Sequence, residues 1–283
     1  MDILKWLGLG PKGEKPTFES VFTDKQKALF KSLALPAIRL EHGGNGFSRL
    51  GGLPDMPDSV PWPHDESGAP LAFLVQLDLA ALPLVARKIG LPEVGCLWFF
   101  YDQRQRAGGF DPKDGSKWRA VYANSAAETC NHSPAPSGLK RVYPIAPVVF
   151  TAIETYPDSD VPAIAELGMS DLQRDLYIDH VSAASGMTHM LGGYSDIIQG
   201  PDMALQCQLA SNGISCSDPR AFETAEARAL SAGASAWRPL MQVASDDKAR
   251  MNWGDGGMLY FWIRDSDLKA ARFDKVWMVV QCY

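Results

Sequence analysis

The sequence predicts an α+β fold: an internally duplicated unit of helix plus antiparallel strands, its two repeats packed into one compact body. Three observations predict it. The pattern Leu-Gly-Gly-x-x-Asp occurs at 50–55 and again at 191–196. An apolar strand with a central glutamine occurs around Gln76 and around Gln242. A glycine opening an aromatic strand occurs at Gly95 and at Gly257. The three recur in the same order, and each sheet would have an apolar face to cover. This places a loosely ordered lead-in at 1–21, a first repeat at 22–156 and a second at 157–283, both repeats in one structural domain.

The elements follow in order. Gly10, Pro11, Gly13 and Pro16 break the lead-in. Thr23 is a good N-cap and Gln26 completes a capping box, so a helix starts there and Pro36 ends it. Ala37 to Glu41 reads as a short strand, and the prolines through Trp62-Pro63 stiffen a loop. Leu71 to Leu79 and Gly95 to Tyr101 are strands, with a long hairpin tip at 102–118. Trp118 to Tyr122 and Val148 to Thr155 are further strands, and Pro157 to Asp160 punctuates the chain. Ser170 and Gln173 repeat the capping spacing before a helix whose buried stripe is Leu172, Leu176, Val181 and Ala184. Another helix covers Ala221 to Ser231. Trp237 to Asp265 then reads strand, acidic turn, glycine corner, strand, because the apolar run Met258 to Ile263 is short and aromatic. A helical turn at Ser266 to Ala270 and a strand at Val276 to Cys282 close the chain.

Net charge is −6, from 33 acidic and 27 basic side chains. A dedicated nucleic-acid binder would show the opposite excess, so nucleic acid is not the expected partner. No run approaches the roughly 18 apolar residues of a membrane span, so no membrane partner is expected either. Met1 to Trp6 shows no signal-peptide pattern, and the five cysteines are odd in number and scattered. The expectation is a cytoplasmic protein with reduced thiols.

The strings H-M-L-G-G-Y-S-D-I-I-Q (189–199), L-M-Q-V-A-S-D-D (240–247), W-G-D-G-G-M-L-Y-F-W-I (253–263) and G-G-L-P-D-M-P with W-P (51–63) carry a resemblance. From about Gly51 to Tyr283 the chain is similar to the YwqG-like family, a bacterial domain of unknown function. The resemblance implies a duplicated α+β fold, a cytoplasmic location and, among relatives, an immunity-like neutralisation of toxins. It implies no catalytic residue.

The residues themselves suggest a binding site. Asp246, Asp247 and Asp255 lie near a glycine corner, where carboxylates either accept backbone N–H bonds or hold a hard cation. Gln76 and Gln242 sit inside apolar strands and each needs a partner, internal or bound. Tyr194, Asp196 and Gln199 share a loop, and Trp253, like Trp62, lies at a loop where an aromatic anchor would be exposed. Zinc-type, P-loop and nucleophile-elbow patterns are absent. A mix of Arg104, Arg106, Phe110, Lys113, Lys117, Trp118 and Arg119 at the hairpin tip offers a stacking surface for single strands, against the overall charge. The reading is a non-enzymatic protein- or ligand-binding module with no cofactor, no metal and no catalytic residue. Its partner would be a protein or small molecule held by Gln76, Tyr194, Asp196, Gln199, Gln242, Asp246, Asp247, Trp253 and Asp255. The alternative is a metal-dependent hydrolase using Asp246, Asp247 and Asp255.

Overall fold

The computed structural model describes residues 16–200 and 202–283. Residues 1–15 of the expected lead-in lie outside it; the remainder holds the short helix Phe18–Val21, capped by Thr17. The chain divides into two units: Leu35–Thr155 with Ser185–Tyr283, and Met1–Ala34 with Tyr156–Ala184.

The larger unit carries the strands β1 Leu35–His42, β2 Arg49–Leu50, β3 Asp55–Met56, β4 Ala72–Asp78, β5 Cys96–Tyr101 and β6 Trp118–Ala123. After these come β7 Asn131–His132, β8 Ala146–Thr155, β9 His189–Gly192, β10 Trp237–Ala244, β11 Met258–Arg264 and β12 Trp277–Gln281. Ten of them form one antiparallel sheet in the order β12-β11-β10-β9-β1-β8-β2-β4-β5-β6, while β3 and β7 pair separately. β5 throughout and β11 as far as Ile263 are apolar because both faces are covered. Leu97 and Phe99 of β5 enter the main core while Trp98 and Phe100 pack on the other side with Met56 and Leu71. In β11 the same two-residue period sends Leu259, Phe261 and Ile263 to the main core and Tyr260 and Trp262 towards Met203 and Cys207. The sheet curls, so that Phe99 of β5 meets Phe261 of β11 at 5.0 Å between ring centroids. Its two edges are tied: Trp118 of β6 donates to the Val276 carbonyl (3.0 Å), and Trp277 of β12 to that of Gly109 (2.8 Å).

One curled antiparallel sheet therefore replaces the expected pair of helix-plus-strand repeats. β1 and β8, paired from Leu35↔Thr155 to His42↔Val148, run through the middle of the sheet. The helices Asp24–Leu33 and Asp171–Ser185 do not belong to the unit that holds the sheet. They fall in the smaller unit (all but Ser185), where Phe22, Phe30, Ile164 and Tyr177 make a core of their own. The three recurring landmarks contain only glycine corners and strands; the two capping boxes mark where helices start, not which sheet they pack on.

Local signals fared better. The Thr23 capping box forms with both of its bonds, and Ser170 and Gln173 bond each other as their spacing predicts. The helix expected at 221–231 is interrupted at Thr224, which ends the 3₁₀ turn Pro219–Glu223 and caps the helix Ala225–Leu230. The helix Met203–Ala210 was not legible because five of its eight residues are buried and it has no polar face to mark a period. The five cysteines are free thiols, and no helix among the described residues is long and apolar enough to cross a membrane.

Candidate functional site

Both Gly-Gly corners are gripped by the buried glutamine of a neighbouring strand. Gln76 of β4 accepts the Asp55 N–H through Oε1 (2.8 Å) and donates through Nε2 to the Phe47 carbonyl (2.8 Å) and Asp55 Oδ2 (3.2 Å). Gln242 of β10 accepts the Asp196 N–H (2.9 Å) and donates to the Thr188 carbonyl (2.9 Å) and Asp196 Oδ2 (2.7 Å). An aromatic donor closes each clasp: Trp98 Nε1–H to the Asp55 carbonyl at 2.9 Å, and the Tyr260 hydroxyl to that of Asp196. Both amides are thus satisfied internally, which removes the cost of burying them.

The carboxylates differ. Burial alone would raise Asp55, but the Arg49 guanidinium at 2.7 Å, helped by Gln76 and His132, outweighs it and holds the group below the ordinary range. Asp196 receives the Ser185 hydroxyl and Gln242; burial prevails over these bonds and over the field of Arg39, and its pKa is raised.

A second difference builds the site. Beside the first corner, Ser48 Oγ accepts the N–H of Asp78 (3.0 Å). Beside the second, His189 Nδ1 accepts the N–H of Ala244 (3.2 Å). An imidazole nitrogen that accepts carries no proton, so the proton of neutral His189 lies on Nε2. That nitrogen points to Asp246 Oδ2 at 3.0 Å. His42, at the end of β1, brings its own Nε2 to the same oxygen at 2.5 Å. Asp246 Oδ1 accepts the Ala249 N–H (2.7 Å), and the backbones of Asp246 and Met251 exchange two hydrogen bonds that close the turn. Burial would raise the Asp246 carboxyl, yet the bonds from His189, Ala249 and His42 hold it far below the ordinary range. The His42 side chain is 24% exposed, against 7% for His189 and 11% for Asp246, so the cluster opens to solvent through His42.

Neither histidine was among the residues expected in the site. No spacing signals them: β1 pairs with β9 so that Leu40 faces His189, and His42 lies two residues beyond. Of the expected set, Gln242 and Asp196 share the second clasp and Gln76 belongs to the first. Only Asp246 joins the histidines. Asp247 and Asp255 are exposed and their carboxylates lie outside the cluster; their backbone carbonyls accept from Arg250 and Tyr283. Trp253 is core, 1% exposed and edge-on to the rings of Tyr101 and Tyr143. Tyr194 donates its backbone N–H to Thr155 Oγ1, and Gln199 is exposed with its backbone held by Gln281. At the hairpin tip Trp118 is buried, Phe110 packs half-buried against the cluster of Leu209 and Cys216, and Lys117 is bonded to Asp65 at 2.7 Å.

His42, His189 and Asp246 have donor atoms within 4.8 Å of one another, close enough to surround a cation. The hydrogen-bond directions oppose that use. A cation on His189 Nε2 would move the ring proton to Nδ1, where it would meet the N–H of Ala244 head-on. The donor set fits a carboxylate clamping two imidazoles.

These features define a class: a protein of one large curled antiparallel sheet, with its chemistry-bearing side chains gathered beside one glycine corner. Residues 48–282 match the family described as a domain of unknown function (DUF1963), and the chain belongs to that family. No curated protein matches the chain. At this level the resemblance seen in the sequence holds: the family is one of unknown function.

Proposed function

We propose that the chain is a cytosolic binding module, immunity-like in the sense its YwqG-like resemblance implies, and not a metal-dependent hydrolase. The observation that supports this is the single oxygen of Asp246 taking both imidazole Nε2 atoms while His189 Nδ1 accepts from the backbone. His42 Nδ1, with no partner among the described residues, is then the polar contact offered to a protein or small-molecule partner. An imidazole fixed by a carboxylate behind it accepts from a ligand N–H or O–H, or donates to an acid once protonated. The three aspartates of the hydrolase reading do not converge, which leaves that mechanism one carboxylate.

Calorimetric titration of chelator-free protein with Zn²⁺ and Co²⁺, beside ¹H–¹⁵N spectra of the imidazole rings, tests this. The expected result is no stoichiometric cation and an Nε2–H tautomer at His189. Tight one-to-one cation binding, abolished by Asp246→Ala, would reinstate the metal enzyme.

A further inference from the structure

A cleft of about 1000 Å³ opens in the larger unit, and none of the three clamp residues lines it. Four cationic side chains line it, Arg104, Lys140, Arg141 and Arg250, and no carboxylate does. In a chain with more acidic than basic residues this is a local reversal of charge. None of the four is within ion-pair distance of a carboxylate among the described residues. Of the acids beside the lining segments, Glu66 precedes Ser67 and is exposed, while two others are engaged elsewhere. Asp65 holds Lys117, and Asp102 accepts the backbone N–H groups of Arg104 and Arg106.

The walls are built, not loose. Arg141 Nε donates to the Gln103 carbonyl (2.9 Å), and its guanidinium lies 5.9 Å from the Tyr143 ring centroid. Gln103 Oε1 accepts the Lys140 N–H (2.7 Å), and Gln105 Nε2 donates to the Tyr143 hydroxyl (3.0 Å). Gln105 and Arg250 both have left-handed backbones, φ +54° and +50°. Residues other than glycine persist in that region where the surroundings over-determine them, which happens most at binding sites. Arg250 is held there by the same Asp246–Met251 turn that positions the clamp.

We propose that this cleft binds an oligophosphate, a chain of two or more linked phosphoryl groups, either free or as the tail of a nucleotide. Guanidinium forks match phosphoryl oxygens with two parallel bonds each, and three forks with one ammonium exceed what a single phosphate can use. The volume sits at the upper end of the roughly 300–1000 Å³ typical of small-molecule sites. No exposed aromatic ring lines the cleft, since Tyr143 is 4% exposed, so a nucleobase finds no stacking platform. The proposal does not depend on the binding role given to His42.

The test is calorimetric titration of the full chain at low ionic strength with sodium tripolyphosphate, with ATP and a single-stranded oligonucleotide as parallel arms. Saturable one-to-one binding of tripolyphosphate is expected, weakening with added salt. Arg104→Ala with Arg250→Gly should weaken it roughly tenfold or more, and Lys140→Gln further. Glycine accepts the left-handed backbone at 250, so the melting transition of that variant should match the parent and exclude misfolding. ATP binding as tightly as tripolyphosphate would assign the cleft to nucleotide tails, and weaker ATP binding to free oligophosphate. Absent or non-saturable tripolyphosphate binding, affinity unchanged in the variants, or tighter capture of the oligonucleotide through the same cations would each overturn the proposal.

Discussion

The two Gly-Gly corners solve one problem with different side chains. Each uses a buried glutamine to hold an aspartate by its N–H and carboxylate, and an aromatic donor to hold its carbonyl. At the first corner Arg49 supplies a charge for Asp55, and Ser48 supplies the small acceptor for the next strand. At the second, Asp196 is left with neutral donors, and an imidazole takes the place of the hydroxyl. The first arrangement ends on the Arg49–Asp55 pair, with the exposed ring of His132 on the same carboxylate at 3.3 Å. The second carries unused chemical capacity, because the far nitrogen of His189 reaches Asp246 and, through it, His42. Structural work that a serine performs in one place is performed in the other by a residue that can also hold and move a proton.

The glycines offer the largest test of that comparison. A Cβ at Gly51 would fall 2.1 Å from the Pro144 carbonyl oxygen, which is backbone, whereas the nearest atoms to one at Gly192 are side-chain carbons of Ile89, the closest at 2.8 Å. Both have positive φ, +63° and +67°, so the backbone strain is shared. Gly51→Ala should cost about 4 kcal/mol and Gly192→Ala about 1–2 kcal/mol in urea unfolding. Equal losses would mean that the first corner can shift where its contacts say it cannot.

The glutamines come next, and here pH separates the corners. Gln242→Leu should cost about 3 kcal/mol near neutral pH and Gln76→Leu about 2 kcal/mol, since each leaves a buried N–H without an acceptor and takes one donor from a carboxylate, Asp196 keeping only the neutral Ser185 hydroxyl. Asp55 would still have Arg49. Asp196 has a raised pKa, so the folded chain holds its proton more tightly than the unfolded chain. Stability linked to it therefore falls as pH rises from about 3.9 through the raised value. Asp55 has the opposite sign: its contribution is full above about 3.9 and is lost on acidification through its depressed pKa. The Gln242→Leu penalty should accordingly shrink when measured near pH 4.5, while that of Gln76→Leu should not. Parallel behaviour of the two variants would refute the assigned difference between the carboxylates.

Much of this was legible where the signal is local. Thr23 with Gln26 and Ser170 with Gln173 are three residues apart and act within one helical turn, so the caps could be read directly. The aromatic runs of β5 and β11 gave their strands away because both faces are covered. The recurrence of Gly-Gly-x-x-Asp, glutamine and glycine marked a repeated clasp, though not a repeated helix-plus-strand unit. What could not be read was set by strand pairing. His42, His189 and Asp246 come from three separate segments, and only the insertion of β1 between β9 and β8 brings the first near the others. Adjacency also misled: Asp246 and Asp247 are neighbours, but the turn closed by Met251 points one inward and leaves the other in solvent.

The smallest expected effect is the most informative about the second corner. His189→Ser would install there the acceptor that Ser48 provides at the first, and His189→Ala would provide none. Both variants lose the bond to Asp246 and open a similar space, so those losses cancel between them. What remains is the buried N–H of Ala244, satisfied in one and orphaned in the other. The serine variant should be more stable by about 1 kcal/mol in urea unfolding. Identical stabilities would show that His189 Nδ1 accepts nothing from the strand. Its proton could then sit on Nδ1, Nε2 would be free to hold a cation, and the argument against a metal at Asp246 would lose its basis.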